Sequence, residues 1–281
     1  AAIVVNRIQP KIDGMIGLLE VRKTDPKAIP RTVSEEEFAQ AATDALRFVD
    51  QNNKLDDVYA EVAENCWIEG YGGAIVDVKR QHDGEVGIKI SHIPWDRIYF
   101  DPHSRRRDFK DARYMGMVTW VDLDDVKPMF PGRKISLKKL REQENPEMDD
   151  ASGDRPRWYQ KDGDEIRVRI AMHFFLRNGV WKMTIFSCDY TIVPEQHSLY
   201  HDEEGIPVNP IELVACRIDQ DNMRYGEVVG MLSQQDELNH RRSKYLHQNS
   251  TRQTYGNERA FTDVAAVKRE LSKPDGHVET I

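Results

Sequence analysis

The chain of 281 residues holds only three cysteines, Cys66, Cys188 and Cys216, widely separated and without a CxxC spacing. A disulfide framework and a zinc site are both disfavoured by that pattern, and a reducing cytosol fits it best. No apolar run approaches the roughly 20 residues that a bilayer-spanning helix needs. No basic-then-apolar leader is visible, so no secretory signal is expected. Neither GxxxxGK[ST] nor GxGxxG occurs, which excludes the usual phosphate cradles and with them a P-loop ATPase. A GxSxG elbow and an HExxH frame are missing too, so no serine nucleophile or zinc protease stands out. The histidines 92, 173, 197, 201, 240, 247 and 277 read as solvated or packing residues. Positive charge is short: 40 Lys and Arg stand against 48 Asp and Glu, a net charge of −8. A protein that grips DNA through many phosphate contacts is usually basic, so tight binding is disfavoured, while a surface past which DNA slides is not.

What is present is a soluble composition, 39% hydrophobic and 31% charged, long enough for one large domain or two ordinary ones. Apolar spacing predicts a helix over 3–19, kinked at Pro10, and an extended stretch over 20–31. Ser34 and Glu37 form a capping-box pair at the head of a long helical region, 35–70. Phe38, Ala41, Ala42, Ala45, Leu46 and Val49 make one apolar stripe there. After a break near Asn52-Asn53, Leu55, Val58, Tyr59, Val62, Ala63 and Cys66 continue it. Gly70 ends the helix and Gly72-Gly73 read as a turn. Strands are expected at 74–79 and 86–92 around Asp83-Gly84, at 98–100, at 115–121, and at 166–176 and 180–186 around Asn178-Gly179. A short helix is expected at 122–129 and a further strand at 211–216. Residues 133–163 run from basic to acidic with few apolar positions and read as a mobile surface loop. The last element, 223–253, lacks proline and spans roughly 45 Å as a helix. Its apolar stripe is thin and interrupted by Gln234, Gln235, Asn239 and Asn249, which suits sideways packing against copies of itself with a polar face left wet. The two ends, Ala1-Ala2-Ile3 and Glu279-Thr280-Ile281, read as cuts in a longer polypeptide.

Three segments together carry a resemblance. Ile93-Pro94-Trp95-Asp96-Arg97-Ile98-Tyr99-Phe100-Asp101-Pro102 is followed by Asp108-Phe109-Lys110-Asp111-Ala112-Arg113-Tyr114. Pro207–Arg217 is a proline-rich approach to a strand, and Tyr225-Gly226-Glu227-Val228-Val229 leads through Gln234–Asn239 to Arg242-Ser243-Lys244. These stretches resemble the portal proteins of short-tailed bacteriophages, over about 90–250. The resemblance implies an α+β fold with 1–221 as a wing, 222–253 as a stem helix and 254–281 as the start of a clip. The second stem helix, tunnel loop and crown are not represented in this sequence. It implies a closed ring, usually a dodecamer, at one capsid vertex of the virion, in the host cytoplasm during assembly. Double-stranded DNA would pass through it during packaging and ejection, and terminase, scaffolding, capsid and tail adaptor proteins would dock on it. No catalysis, cofactor or membrane is implied.

On that reading Val228, Leu232, Leu238, Tyr245 and Leu246 are the expected stem-packing residues. Arg241, Arg242, Lys244 and Arg252 would face passing phosphates or a neighbour's acids, and Arg259, Phe261 and Lys268 would meet docking partners. Trp95, Trp120, Trp158 and Trp181 read as packing residues. Asp101, Asp108 and Asp111 with His103 admit a second reading, a divalent-cation site in a metal-dependent hydrolase. The blander alternative is a loop capped by its own aspartates and paired with Arg105, Arg106, Arg107 and Arg113. A non-viral scaffold protein is the third alternative.

Overall fold

The computed structural model describes residues 4–22, 25–80, 86–143, 167–250 and 263–271. The chain divides into two compact units, Ile12–Val229, and Ala1–Lys11 with Gly230–Ile281. The fold is mixed α+β, with helices and antiparallel sheets.

Helix α1 spans Ile8–Val21, so residues 4–7 are not helical as expected. Pro10 falls in its first turn, where the missing N–H has no intrahelical acceptor to lose and no kink results. A short 3-10 turn, Val33–Glu35, precedes α2, Glu36–Asn53. The expected capping box is not formed: Ser34 lies inside the turn, and no side chain caps either start. Lys54, in the left-handed region at φ 49°, breaks the helix where the asparagines predict it, and α3 runs Leu55–Ile68.

Strand β1, Tyr71–Arg80, pairs antiparallel with β2, Val86–Ile93, and on its other side with β8, Ile211–Ala215. Gly72 and Gly73 are strand residues rather than a turn. Side chains there would strike the Val62 carbonyl and the Leu213 side chain, so the glycines let α3 and β8 close on β1. The connection around Asp83-Gly84 lies outside the described residues. A five-stranded antiparallel sheet follows the order β3 (Ile98–Phe100), β4 (Tyr114–Asp122), β5 (Arg167–Arg177), β6 (Val180–Ser187), β7 (Tyr190–His197). Asn178 and Gly179 both take positive φ, as the tight β5–β6 turn requires. Strand β7 has no counterpart in the sequence reading, and it carries Pro194, a residue type that weighs against a strand. The proline is tolerated because β7 is the end strand of its sheet.

Between β4 and β5, a 3-10 turn (Leu123–Asp125) leads into α4, Val126–Met129, and then α5, Leu137–Gln143. Residues 133–143 are therefore not a surface loop: Ile135 and Leu140 are buried in the core. The acidic remainder, 144–163, lies outside the described residues. The core joins both sheets: Ile75, Ile93, Ile211 and Leu213 from the first, and Met115, Phe174, Met183 and Ile185 from the second. Alternation in β8, with Ile211, Leu213 and Ala215 buried and Glu212 and Val214 outward, is the half-buried strand pattern. A two-residue pair, β9 (Arg217–Ile218) and β10 (Arg224–Tyr225), precedes α6, Val229–Ser250. The helix expected from 223 thus starts at Val229, because Asp219 and Met223 close a turn first: the Asp219 N–H donates to the Met223 carbonyl and the Met223 N–H donates to the Asp219 carboxylate. Helix α7 spans Val264–Leu271, and its N–H groups at Ala265 and Ala266 bond the Asp263 carboxylate.

Candidate subunit-contact site

The loop joining the two halves of the first quoted segment meets the residues just ahead of the third. Ser104 and Arg224 are 120 positions apart, yet an Arg224 guanidinium N–H donates to the Ser104 carbonyl at 2.5 Å. A second donates to the Asn222 carbonyl at 3.0 Å. The guanidinium lies 5.1 Å from the Phe100 ring centre and 4.9 Å from that of Phe109. Burial lowers the Arg224 pKa, against the pull of Asp111 and Asp101. Asn222, at φ 65°, donates its amide to the Pro102 and Ser104 carbonyls at 2.7 and 2.8 Å. Asparagine tolerates that backbone region better than most residues.

The loop that receives Arg224 is braced by its own aspartates. Buried Asp101 accepts the N–H groups of His103 and Arg113 at 2.9 and 3.0 Å. Burial raises its pKa, but these donors outweigh burial and hold it below the ordinary value. Asp111 accepts the Ser104 hydroxyl at 2.6 Å and the Arg105 N–H at 2.7 Å, and its pKa too falls despite desolvation. Asp108 takes a two-pronged bond from Arg106, which brings it down to about 2. The carboxylates are thus engaged by their own loop, the arrangement of the capped-loop alternative. Among the described residues no cluster of metal-binding side chains forms.

The segment leading to α6 is seated equally closely on α3. Gly226 sits against the Trp67 carbonyl, where any Cβ would overlap it. A Cβ on Gly70 would lie 2.5 Å from the Tyr225 backbone, and Gly70 already takes φ +100°. Val228 N–H donates to Trp67 at 3.3 Å and Cys216 N–H to Gly70 at 2.8 Å. Burial pushes the Cys66 thiol up to about 12, with Cys216 beside it, so neither thiol of this contact is an activated nucleophile.

In the second unit, α6 carries a polar side that is covered rather than wet. Gln235 donates to the Val5 carbonyl at 2.6 Å and accepts the Arg7 N–H at 3.0 Å. Asn239 accepts the Val5 N–H at 3.0 Å and the Gln235 amide at 3.0 Å. Residues 5–7 form an arm ahead of α1, held along the helix by these two amides. Met231, Gln235, Asn239 and Leu246 share that partly covered side. Apolar residues stand bare on its flanks. Leu238 (39% exposed) and Tyr245 (55%) lie on one flank, Val229 (51%) and Leu232 (49%) on the other.

Of the other expected site residues, Val228 is half-buried in the turn before α6. Arg241 pairs with Glu237 one turn earlier, Arg242 lies 5.9 Å from the Tyr245 ring centre, and Lys244 is exposed. Lys268 is exposed in the last turn of α7, where a cation suits the helix dipole. Arg252, Arg259, Phe261 and Trp158 lie outside the described residues. Trp95 is 42% exposed rather than packed away. Arg224, Asn222 and the arm were missed by the sequence reading. The spacing of Gln235 and Asn239 was the available signal for the arm.

No helix among the described residues is long and apolar enough to cross a membrane. A model of the phage P22-like portal protein family matches residues 1–179 and 176–281, the whole chain between them. No curated protein matches the chain.

Proposed function

Because the chain belongs to the phage P22-like portal protein family, and is thereby a structural, non-enzymatic subunit of a portal ring for DNA packaging and ejection, we propose that α6 is the helix by which neighbouring subunits pack. The observation that supports this is the bare pair of flanks on α6. Its polar side is occupied by the arm of the same chain, while Leu238 and Tyr245 on one flank and Val229 and Leu232 on the other are left for two different neighbours. A closed cyclic ring needs such a pair of unlike surfaces on every subunit. On this reading 1–221 is the wing, 222–253 the stem helix and 254–281 the start of the clip, in a dodecamer at the capsid vertex of the virion.

Arg241, Arg242, Lys244 and Arg252 give the stem weak, sequence-independent attraction for passing phosphates or bridges to a neighbour's acids. The net charge of −8 keeps that attraction from becoming a brake. Arg259, Phe261 and Lys268 serve docking of terminase or tail adaptors at the clip. Scaffolding and capsid proteins meet the wing.

Native mass spectrometry of the full-length protein tests the reading. Leu238→Asp and Leu232→Asp lower the yield of closed rings, and Ser233→Asp, on the exposed polar back of α6, does not. Equal yields from all three variants refute the assignment of the flanks, and the ring mass reads the subunit number directly.

A further inference from the structure

The same inversion occurs on α2, and there it points to a second contact surface. The two fully buried residues of α2 are polar. Buried Thr43 bonds the Ala39 carbonyl and receives the Ala28 N–H, and buried Asn53 bonds Ile88 and Ile90 of β2. Across the helix from Thr43, Phe38, Ala41, Ala45 and Phe48 follow at spacings of three and four and are exposed, Phe48 also bordering a hollow it shares with Asn53, Lys79 and Ile88 of its own chain. Phe38 is 78% and Phe48 64% exposed. A three-four apolar seam is the pattern by which one helix packs lengthwise on another element, and large aromatics flanking two alanines leave a hollow between them.

The rim of this seam is acidic. Glu36 and Glu37 stand at its head and Asp44 beside its middle, while Arg47 lies near Asp25 at 3.6 Å. Its occupant must therefore offer an apolar knob within a basic rim. The chain itself displays such an edge between α4 and α5: Met129 is 51% exposed, and Arg133, Lys134 and Lys139 are exposed around it. Within a ring each copy can offer that basic edge to one neighbour and the acidic seam to the other.

We infer that the outward seam of α2 is an intersubunit surface, covered in the ring by the basic edge around Met129, Arg133, Lys134 and Lys139 of the adjacent copy. This deepens the portal-ring reading and rests on it. It is independent of the α6 flanks.

The test uses full-length protein that forms rings as wild type; without wild-type rings it is the portal reading, not the seam, that fails. Ala41→Glu with Ala45→Glu should raise the concentration for half-assembly at least about tenfold. Because both alanines are exposed in the subunit, its melting temperature should stay unchanged. Glu37→Lys with Asp44→Lys should weaken assembly, as should Lys134→Glu with Lys139→Glu, and combining all four should restore it. A photo-crosslinker at position 48 should yield an adduct of two chains joined at the 129–139 peptide. Rings at wild-type concentration, a lowered melting temperature of the subunit, absence of rescue, or a crosslink within one chain would each overturn the assignment.

Discussion

Arg224→Met is the most informative single change. Methionine keeps a hydrocarbon body between Phe100 and Phe109 but removes the charge and both donated hydrogen bonds. Each ring contact of a partly exposed guanidinium contributes about 0.5–1 kcal/mol. Each hydrogen bond to a carbonyl contributes roughly 1 kcal/mol net. Against these stands the buried Nε, which has no partner and costs on the order of 1 kcal/mol. Arg224→Met should thus destabilise by about 2 kcal/mol, and Arg224→Ala by about 1 kcal/mol more through lost packing. Lysine restores a charge but not the planar fork, so Arg224→Lys should recover less than half. Urea unfolding followed by tryptophan fluorescence reads these differences as shifts of midpoint at constant slope. Hydrogen exchange at Val228 should quicken in parallel, since its N–H bond to Trp67 depends on the same seating. A methionine variant within about 0.5 kcal/mol of wild type, with exchange at Val228 unchanged, would refute the view that Arg224 fastens the segment before α6.

Gly226→Ala forces a methyl onto the Trp67 carbonyl, backbone against backbone, and should destabilise by at least about 2 kcal/mol in the same assay. Asp101 and Asp111 have depressed pKa values in the folded chain, so their stabilisation is full above the ordinary carboxylate value of about 4 and is lost as pH falls through the lower folded values. Acid titration of Asp111→Asn should accordingly give a flatter stability limb below about pH 4 than wild type. Gln235→Ala with Asn239→Ala should free the arm. Amide exchange at Val5 and Arg7 should accelerate at least about tenfold while exchange in β5 and β6 stays unchanged.

Much of the scaffold was legible because its signals are local. The Asn178-Gly179 turn, the Lys54 break beside the asparagine pair and the alternation of 211–215 each follow from a few neighbouring residues. Strand β7 carries Pro194, which weighs against a strand until one knows that the strand ends its sheet. Helix α5 was hidden because Lys138 and Lys139 mask the buried Leu140. The long helices misled in a more general way. Amphipathic spacing tells which residues share a side, but not whether the apolar side faces the subunit's own core or another subunit. In α2 the two buried residues, Thr43 and Asn53, are polar, and in α6 the amides of Gln235 and Asn239 are engaged by the chain's own arm. The family motifs stood out as strings, yet the reason for their residues, a loop braced by Asp101 and Asp111 that receives Arg224, needed contacts across 120 positions.

The arm also dictates an order of events during synthesis. Val5 and Gln235 are 230 positions apart. At roughly 5–20 residues per second the ribosome needs about 10–50 s to make the second after the first. Throughout that interval the arm has nothing to bind, while the strands and loops of Ile12–Val229 emerge in full. The body of the subunit is therefore complete before α6 can be clasped. Closure of the arm marks the end of translation of this region rather than its beginning.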